Sequence, residues 1–270
     1  MLSPASRRLT YSLAVLYTLL GAALFFWPNA MAPVFAWKVT PFMTMTIGGW
    51  SLGNAWLAWI VARRWDWRLV YTTLGYLWFF GALELAVVIA FADKLQLQHA
   101  IAWLYLGALG INALAALVGV ADWIRLRPAV PAIGEPVRPF QRAGVVAFVV
   151  FVGFLALFGM AAPAGAIGTN GGIFPEAMSV FTLRSFAAFY LALAVAAGPL
   201  LMERRLPALL HHAFASYGLI VAITAAALVN VRLFDFAERP GGLLYIGAYL
   251  IVGLPLLFVF YGFGTGLRSG

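Results

Sequence analysis

The 270-residue chain has no cysteine, and only 10% of its residues are charged. The first absence removes disulfides, thiolate metal sites and cysteine nucleophiles together. The second excludes most soluble folds. A soluble domain is about a quarter charged, and so few charges cannot cover a globule of 29.2 kDa. What is abundant is apolar: 64% hydrophobic residues, 16% aromatic, and a mean hydropathy of +0.96. A bilayer needs no charged cover; it asks only that backbone polar groups be satisfied inside helices or a closed barrel. The composition is that of an integral membrane protein. The net charge of +8 does not point to nucleic acid, because the basic residues fall in short clusters between apolar runs and form no continuous stripe.

A spanning helix needs about 20 mostly apolar residues. Eight such runs occur, at roughly 9–27, 41–62, 69–92, 99–121, 143–162, 179–202, 208–230 and 242–263. They are continuous and rich in Leu, Ala, Val and Phe, without the alternation of a barrel strand, so the expected fold is all-α and polytopic. Arg7-Arg8 ahead of the first run and Ala30-Met31-Ala32 after it mimic a secretion signal, but the run is too long for one and Pro33 would follow the cut.

Orientation follows the short connections, since cytoplasmic loops carry the excess of Lys and Arg. Of seventeen basic residues, twelve fall on one set of ends, from Arg7, Arg8, Arg63, Arg64 and Arg68 to Arg204, Arg205 and Arg268. Four, Lys38, Lys94, Arg232 and Arg239, fall on the other. Both termini are therefore expected in the cytoplasm, with the chain in the inner (plasma) membrane. Trp65, Trp67 and Trp123 on one side, and Trp27 and Trp37 on the other, sit where an aromatic belt belongs.

The tract Trp103-Leu104-Tyr105-Leu106-Gly107-Ala108 returns 140 positions later as Leu243-Leu244-Tyr245-Ile246-Gly247-Ala248. At an offset of 139, Phe42 falls on Phe181, Gly48-Gly49 on Ala187-Ala188, Trp50 on Phe189, Leu52 on Leu191 and Ala55 on Ala194. Matches in order at one spacing indicate duplication. Four crossings per copy is an even number, so the copies should insert the same way up, related by a pseudo-two-fold axis along the membrane normal. The expected organisation is a first four-helix repeat over 1–121, an extended linker over 122–142 with Pro128, Pro131, Pro136 and Pro139, and a second repeat over 143–270. In arrangement, tandem four-helix modules resemble small polytopic membrane proteins of the DoxX-like kind; no shared motif carries residues across.

Gly49 and Gly53 in the second span, matched by Ala188 and Ala192 in the sixth, are spaced to let helix backbones approach closely. These two helices are the expected bundle interior, either facing one another near the axis or packed within their own quartets. A charge at bilayer depth costs at least about 2.5 kcal/mol and needs a partner, water or a function. Glu84 in the third span and Arg184 in the sixth are the two such charges, and at 1.5 Å rise per residue their depths differ by roughly 5 Å. They are expected to pair across the two halves, as a structural lock or as a site for a proton or an anionic group. Asn54 and Asn112, deeper still, with Thr73 and Tyr76, would line a small polar pocket or bond between helices.

No metal site or cofactor is expected. His99 and the pair His211-His212 lie at opposite ends of the spans, about 30 Å apart, and adjacent helical histidines point about 100° apart. They read as interfacial residues. Both lysines, Lys38 and Lys94, fall in connections, which excludes a retinal Schiff base. No nucleophile elbow, phosphate loop or zincin helix appears, and Gly168-Thr169-Asn170-Gly171-Gly172 reads as a flexible loop, matched in the first copy by the segment from Pro28 to Pro41 along the interface. An enzyme would have only His211 or His212 with Glu203 to use. The expected function is binding or transport of a small ligand, a proton, a small anion or a lipid-like molecule, between the repeats. The alternative is a structural or assembly subunit whose apolar faces meet another membrane protein or a second copy of the chain.

Overall fold

The computed structural model describes residues 1–128, 135–163, 173, 175–176, 178–238 and 240–266, with side chains as far as Leu254. It is all-helical, 82% helix. Eight long helices follow one another among the described residues: α1 (Pro4–Phe26), α3 (Pro41–Arg64), α4 (Trp67–Ala90), α5 (Ala100–Leu126), α6 (Pro139–Ala161), α7 (Val180–Ala197), α8 (Leu206–Val229) and α9 (Gly241–Gly266), with a one-turn helix, α2 (Pro28–Met31), after the first and short 3-10 turns at several connections. No strand occurs among the described residues; one isolated bridge joins Pro136 and Arg205.

The starts of these helices are written in the sequence. Pro4, Pro41 and Pro139 open α1, α3 and α6, where a fixed φ suits the first turn and the missing N–H is not needed. Ser3, Thr40, Asp66 and Ser179 cap α1, α3, α4 and α7 by accepting from backbone N–H groups of the first turn. The helices on either side of the linker run further than the composition implied. α5 continues to Leu126 and α6 begins at Pro139, so both ends of 122–142 are helical; Pro131 lies outside the described residues. Trp65 and Arg127 end α3 and α5 in the left-handed region, at φ 38° and 40°.

Among the described residues six helices are long and apolar enough to cross a membrane: α1, α4, α5, α6, α8, and α7 with the 3-10 turn that continues it to Leu201. These are the helices of a membrane protein. α3 is as long, but Asn54, Ser51, Thr44, Thr46 and the terminal Arg63-Arg64 lower its hydropathy. With α7 it is one of the two most enclosed, wrapped by α1 on one side and α8 on the other. α1 and α3 cross so closely that a Cβ on Gly21 would fall 2.7 Å from Leu52 N, and one on Gly48 2.5 Å from Phe25 N. α6 and α7 cross the same way at Gly159, whose Cβ would meet Leu183 O at 2.9 Å. α5 packs on α1 and α4, α9 on α8, and α4 on both α7 and α8.

Arginines gather at one end of the bundle. There the amino terminus is clasped by α5: Asp122 accepts from Ser3 N at 2.9 Å and Ser6 Oγ at 2.5 Å. Arg7 Nε donates to Ala62 O at the end of α3, and Trp65 Nε1 to Leu2 O. The end of the linker joins them, with Leu206 N donating to Glu135 O and Val137 N to Arg204 O. At this end the belt expectation fails for two of three tryptophans. Trp65 and Trp67 are buried and only Trp123 is exposed, because the clasp gives the first two rings helices to pack on. At the opposite end Trp27 is exposed, whereas Trp37 is sealed.

Candidate functional site

The segment after α2 does not lie along the interface. Phe35, Ala36 and Trp37 turn into the bundle and are 0–2% exposed. Trp37 stacks on Phe181 of α7 with ring centroids 4.3 Å apart, and its indole N–H donates to Thr182 Oγ1 at 3.1 Å. Gln96 N donates to Ala36 O, and the Thr40 hydroxyl donates to the Glu176 carboxylate. An amphipathic ring with one donor belongs at an interface only when nothing inside accepts its N–H; here Thr182 does. The glycine-rich run 168–172 lies outside the described residues.

Beneath this plug sits Tyr105 of α5, in ring contact with Phe35 and Trp37 at 5.4 and 5.3 Å. Its hydroxyl donates to Glu84 Oε1 at 2.6 Å. Glu84 is 2% exposed and its second oxygen has no partner. Ser185 of α7 lies beside the carboxyl, with its own hydroxyl also unpartnered. An unpaired buried polar group costs about 1–3 kcal/mol.

The Glu84–Arg184 pair does not form. Arg184 Nη1 donates to Gly159 O at 2.7 Å and Ala162 O at 3.2 Å, capping the carbonyls that α6 leaves open at its carboxyl end. Depth was not the obstacle. Consecutive helical residues point about 100° apart, so Ser185 faces α4 and Arg184 faces α6.

The two asparagines are both fully buried, in separate contacts. Tyr76 donates to Asn54 Oδ1 at 2.7 Å, between α4 and α3. Asn112 Nδ2 donates to Tyr17 Oη at 3.0 Å, between α5 and α1, in space that Gly81 leaves open, where a Cβ would fall 2.6 Å from Asn112 Cγ. These are interhelical hydrogen bonds. Thr73, Asn54 Nδ2 and Asn112 Oδ1 have no partner, so the interior of the first four long helices is polar and incompletely bonded.

Gly49 and Gly53 take their closest neighbour neither from α7 nor from the other three of the first four long helices. They receive α8: a Cβ on Gly53 would lie 2.6 Å from Leu219 Cα, and one on Gly49 3.2 Å from Ala222 O. Ala188 and Ala192 are buried on α7, which packs on α4.

His99 stands half-buried at the start of α5, as expected of a residue near a span end, but the expectation fails for His212. His212 is buried, with Nδ1 3.0 Å from Thr72 Oγ1 of α4. Glu203 accepts instead from Tyr71 Oη and from the Arg204 and Arg205 backbone, so it supplies no base to either histidine. Among the described residues no cluster of His, Asp and Glu could hold a metal ion.

A second site escaped the sequence. α1 and α5 pack closely, but among the described residues α6 and α9 do not, and an apolar groove lies between them. Phe148, Phe151 and Val152 of α6 form one wall, and Ala248, Tyr249 and Val252 of α9 the other; Phe189, Leu219 and Ile223 form the floor. The floor is the reverse of the central seam, since Leu219 abuts Gly53 and Phe189 stacks on Trp50. The groove's polar features are the unpartnered Ser216 hydroxyl and Tyr249, whose hydroxyl lies 2.9 Å from that of Tyr190. Its sequence signal was the trio Tyr190, Tyr245 and Tyr249, three phenols on two of the later helices. The chain matches no protein-family model, no curated protein and no solved structure.

Proposed function

We propose that the chain is an eight-span protein of the inner membrane, with both termini on the cytoplasmic, arginine-rich side, and that it binds or carries a small lipid-like molecule in the groove between α6 and α9. Two parallel quartets, 1–121 and 143–270, make this arrangement. Their supports are reciprocal contacts: α3 lies on α8 while α7 lies on α4, the Gly21–Gly48 crossing has its counterpart at Gly159 and Ala187, and Trp50 stacks on Phe189, the residue in its matching place.

The observation that carries the ligand reading is the unfilled gap. The first quartet closes α1 on α5, whereas in the second, among the described residues, the matching helices stand apart over an apolar floor. A site of this kind, apolar with a few placed hydroxyls, suits an acyl chain or a flat apolar molecule whose polar end reaches Ser216 or Tyr249. A small anion fits less well, because the Arg184 guanidinium is already committed to backbone carbonyls.

A photoactivatable fatty acid, added to the chain reconstituted in lipid, tests the proposal. Adducts should concentrate on the α6 and α9 peptides that line the groove, and Ala248→Trp, which fills it, should remove them. Adducts spread evenly over exposed positions such as Leu117 and Ile124 of α5 would overturn it, and would favour the structural-subunit alternative.

A further inference from the structure

We infer that Glu84 is a carboxylic acid that holds a proton between α4 and α7, donating through Oε2 to the Ser185 hydroxyl, and that the plug formed by Phe35–Trp37 closes this proton-binding site from one end of the bundle. The inference goes beyond the groove and does not depend on it.

The argument is one of donors and charges. A carboxylate has room for about four donors, and Glu84 has one, Tyr105 Oη. No lysine, arginine or histidine among the described residues lies within ion-pair distance of it, and Arg184, the one cation at similar depth, is turned to α6. The titratable groups nearby are the phenols of Tyr105 on α5, Tyr17 on α1 and Tyr76 on α4 itself, none of which supplies positive charge. A buried anion with no counter-charge takes up a proton instead. Adding it also repairs the hydrogen bonding. Glu84 Oε2 and Ser185 Oγ are both orphaned and adjacent, and a proton on Oε2 lets the first donate to the second. The bond so formed ties α4 to α7, across the seam between the two halves of the chain.

The plug supplies the other part. Tyr105 is the shared residue, bonded to Glu84 on one side and covered by the Phe35 and Trp37 rings on the other. Proton exchange with water on that side therefore requires Trp37 to leave Phe181 and Thr182.

Dicyclohexylcarbodiimide, an apolar reagent specific for protonated carboxyl groups, tests this on the purified full chain in detergent. The acid adds across one C=N bond: its proton goes to nitrogen and its oxygen bonds to the central carbon. The O-acylisourea so formed rearranges to a stable N-acylurea, found by peptide mass mapping. At pH about 8, where ordinary carboxyls are ionised, the adduct should form at Glu84, be absent in Glu84→Gln, and form several-fold faster in Trp37→Ala. Absence of the Glu84 adduct from both wild type and Trp37→Ala would overturn the proposal. If Trp37→Ala does not fold, the infrared difference between wild type and Glu84→Gln decides. A protonated-carboxyl C=O band lost in the variant supports the proton, and a carboxylate band in its place overturns it.

Discussion

Trp50 of α3 and Phe189 of α7 stack face to face, centroids 4.5 Å apart and 6° from parallel, with Phe186 edge-on to the same indole at 4.4 Å. α3 and α7 otherwise touch little, so this aromatic contact is their main bond. Trp50→Ala should lower stability by about 2–3 kcal/mol, the lower part of the range for large-to-small interior changes, because lipid is itself apolar. Trp50→Phe should cost little or even stabilise, since it keeps the stack and removes an indole N–H that has no partner. Thermal unfolding in detergent compares the three; an equal loss for both variants would contradict the stacking account.

The α3–α8 crossing predicts a sharp contrast between glycines. Gly53→Ala places a methyl 2.6 Å from Leu219 Cα, in backbone that cannot yield cheaply, whereas a Cβ at Gly75 meets nothing within 4 Å. The first should destabilise by about 1–3 kcal/mol. Gly75→Ala should be neutral or slightly stabilising, alanine being the better helix former. Unfolding midpoints of the two single variants check this directly.

Arg184→Met should loosen the end of α6 by about 1–3 kcal/mol, by leaving Gly159 and Ala162 carbonyls without their donor. It should leave Glu84 untouched. The double variant with Glu84→Gln should therefore be additive within about 0.5 kcal/mol. A larger coupling energy would contradict the separation of the two groups.

At the arginine-rich end, the Arg68 guanidinium bonded to Asp66 holds that carboxyl below its ordinary value. The group's contribution is thus present above the unfolded value of about 3.9 and fades as pH falls through the lower folded one. The pair is partly exposed, so less than about 1 kcal/mol is at stake. The stability difference between wild type and Asp66→Asn should be small at pH about 6 and shrink further below pH about 4. A difference that stays flat with pH would contradict it.

Helix positions were legible because runs of about 20 apolar residues mark them, but the starts at Pro4 and Pro139 lie before those runs, set by proline and capping chemistry that hydropathy does not register. The depth of Glu84 was legible too, from rise per residue. Its partner was not, because depth fixes height and not azimuth: one residue of rotation separates Ser185, which faces α4, from Arg184, which faces α6. Trp37 misled for a different reason. Its position in the chain is that of a belt residue, and only the remote Thr182 and Phe181 draw it inside. The groove left almost no trace, since in hydrocarbon a phenylalanine such as Phe151 looks the same whether it meets a helix or a lipid. Gly49 and Gly53 announced a close approach without naming α8 as its partner.

The plug is held from the far side of the sequence. Trp37 rests on Phe181 and Thr182, and Thr40 on Glu176, some 140 residues later by the numbering. During synthesis the early helices are threaded into the bilayer well before those partners leave the ribosome. The nascent amino-terminal segment must wait with its stopper unseated, and a chain released after residue 128 could never seat it.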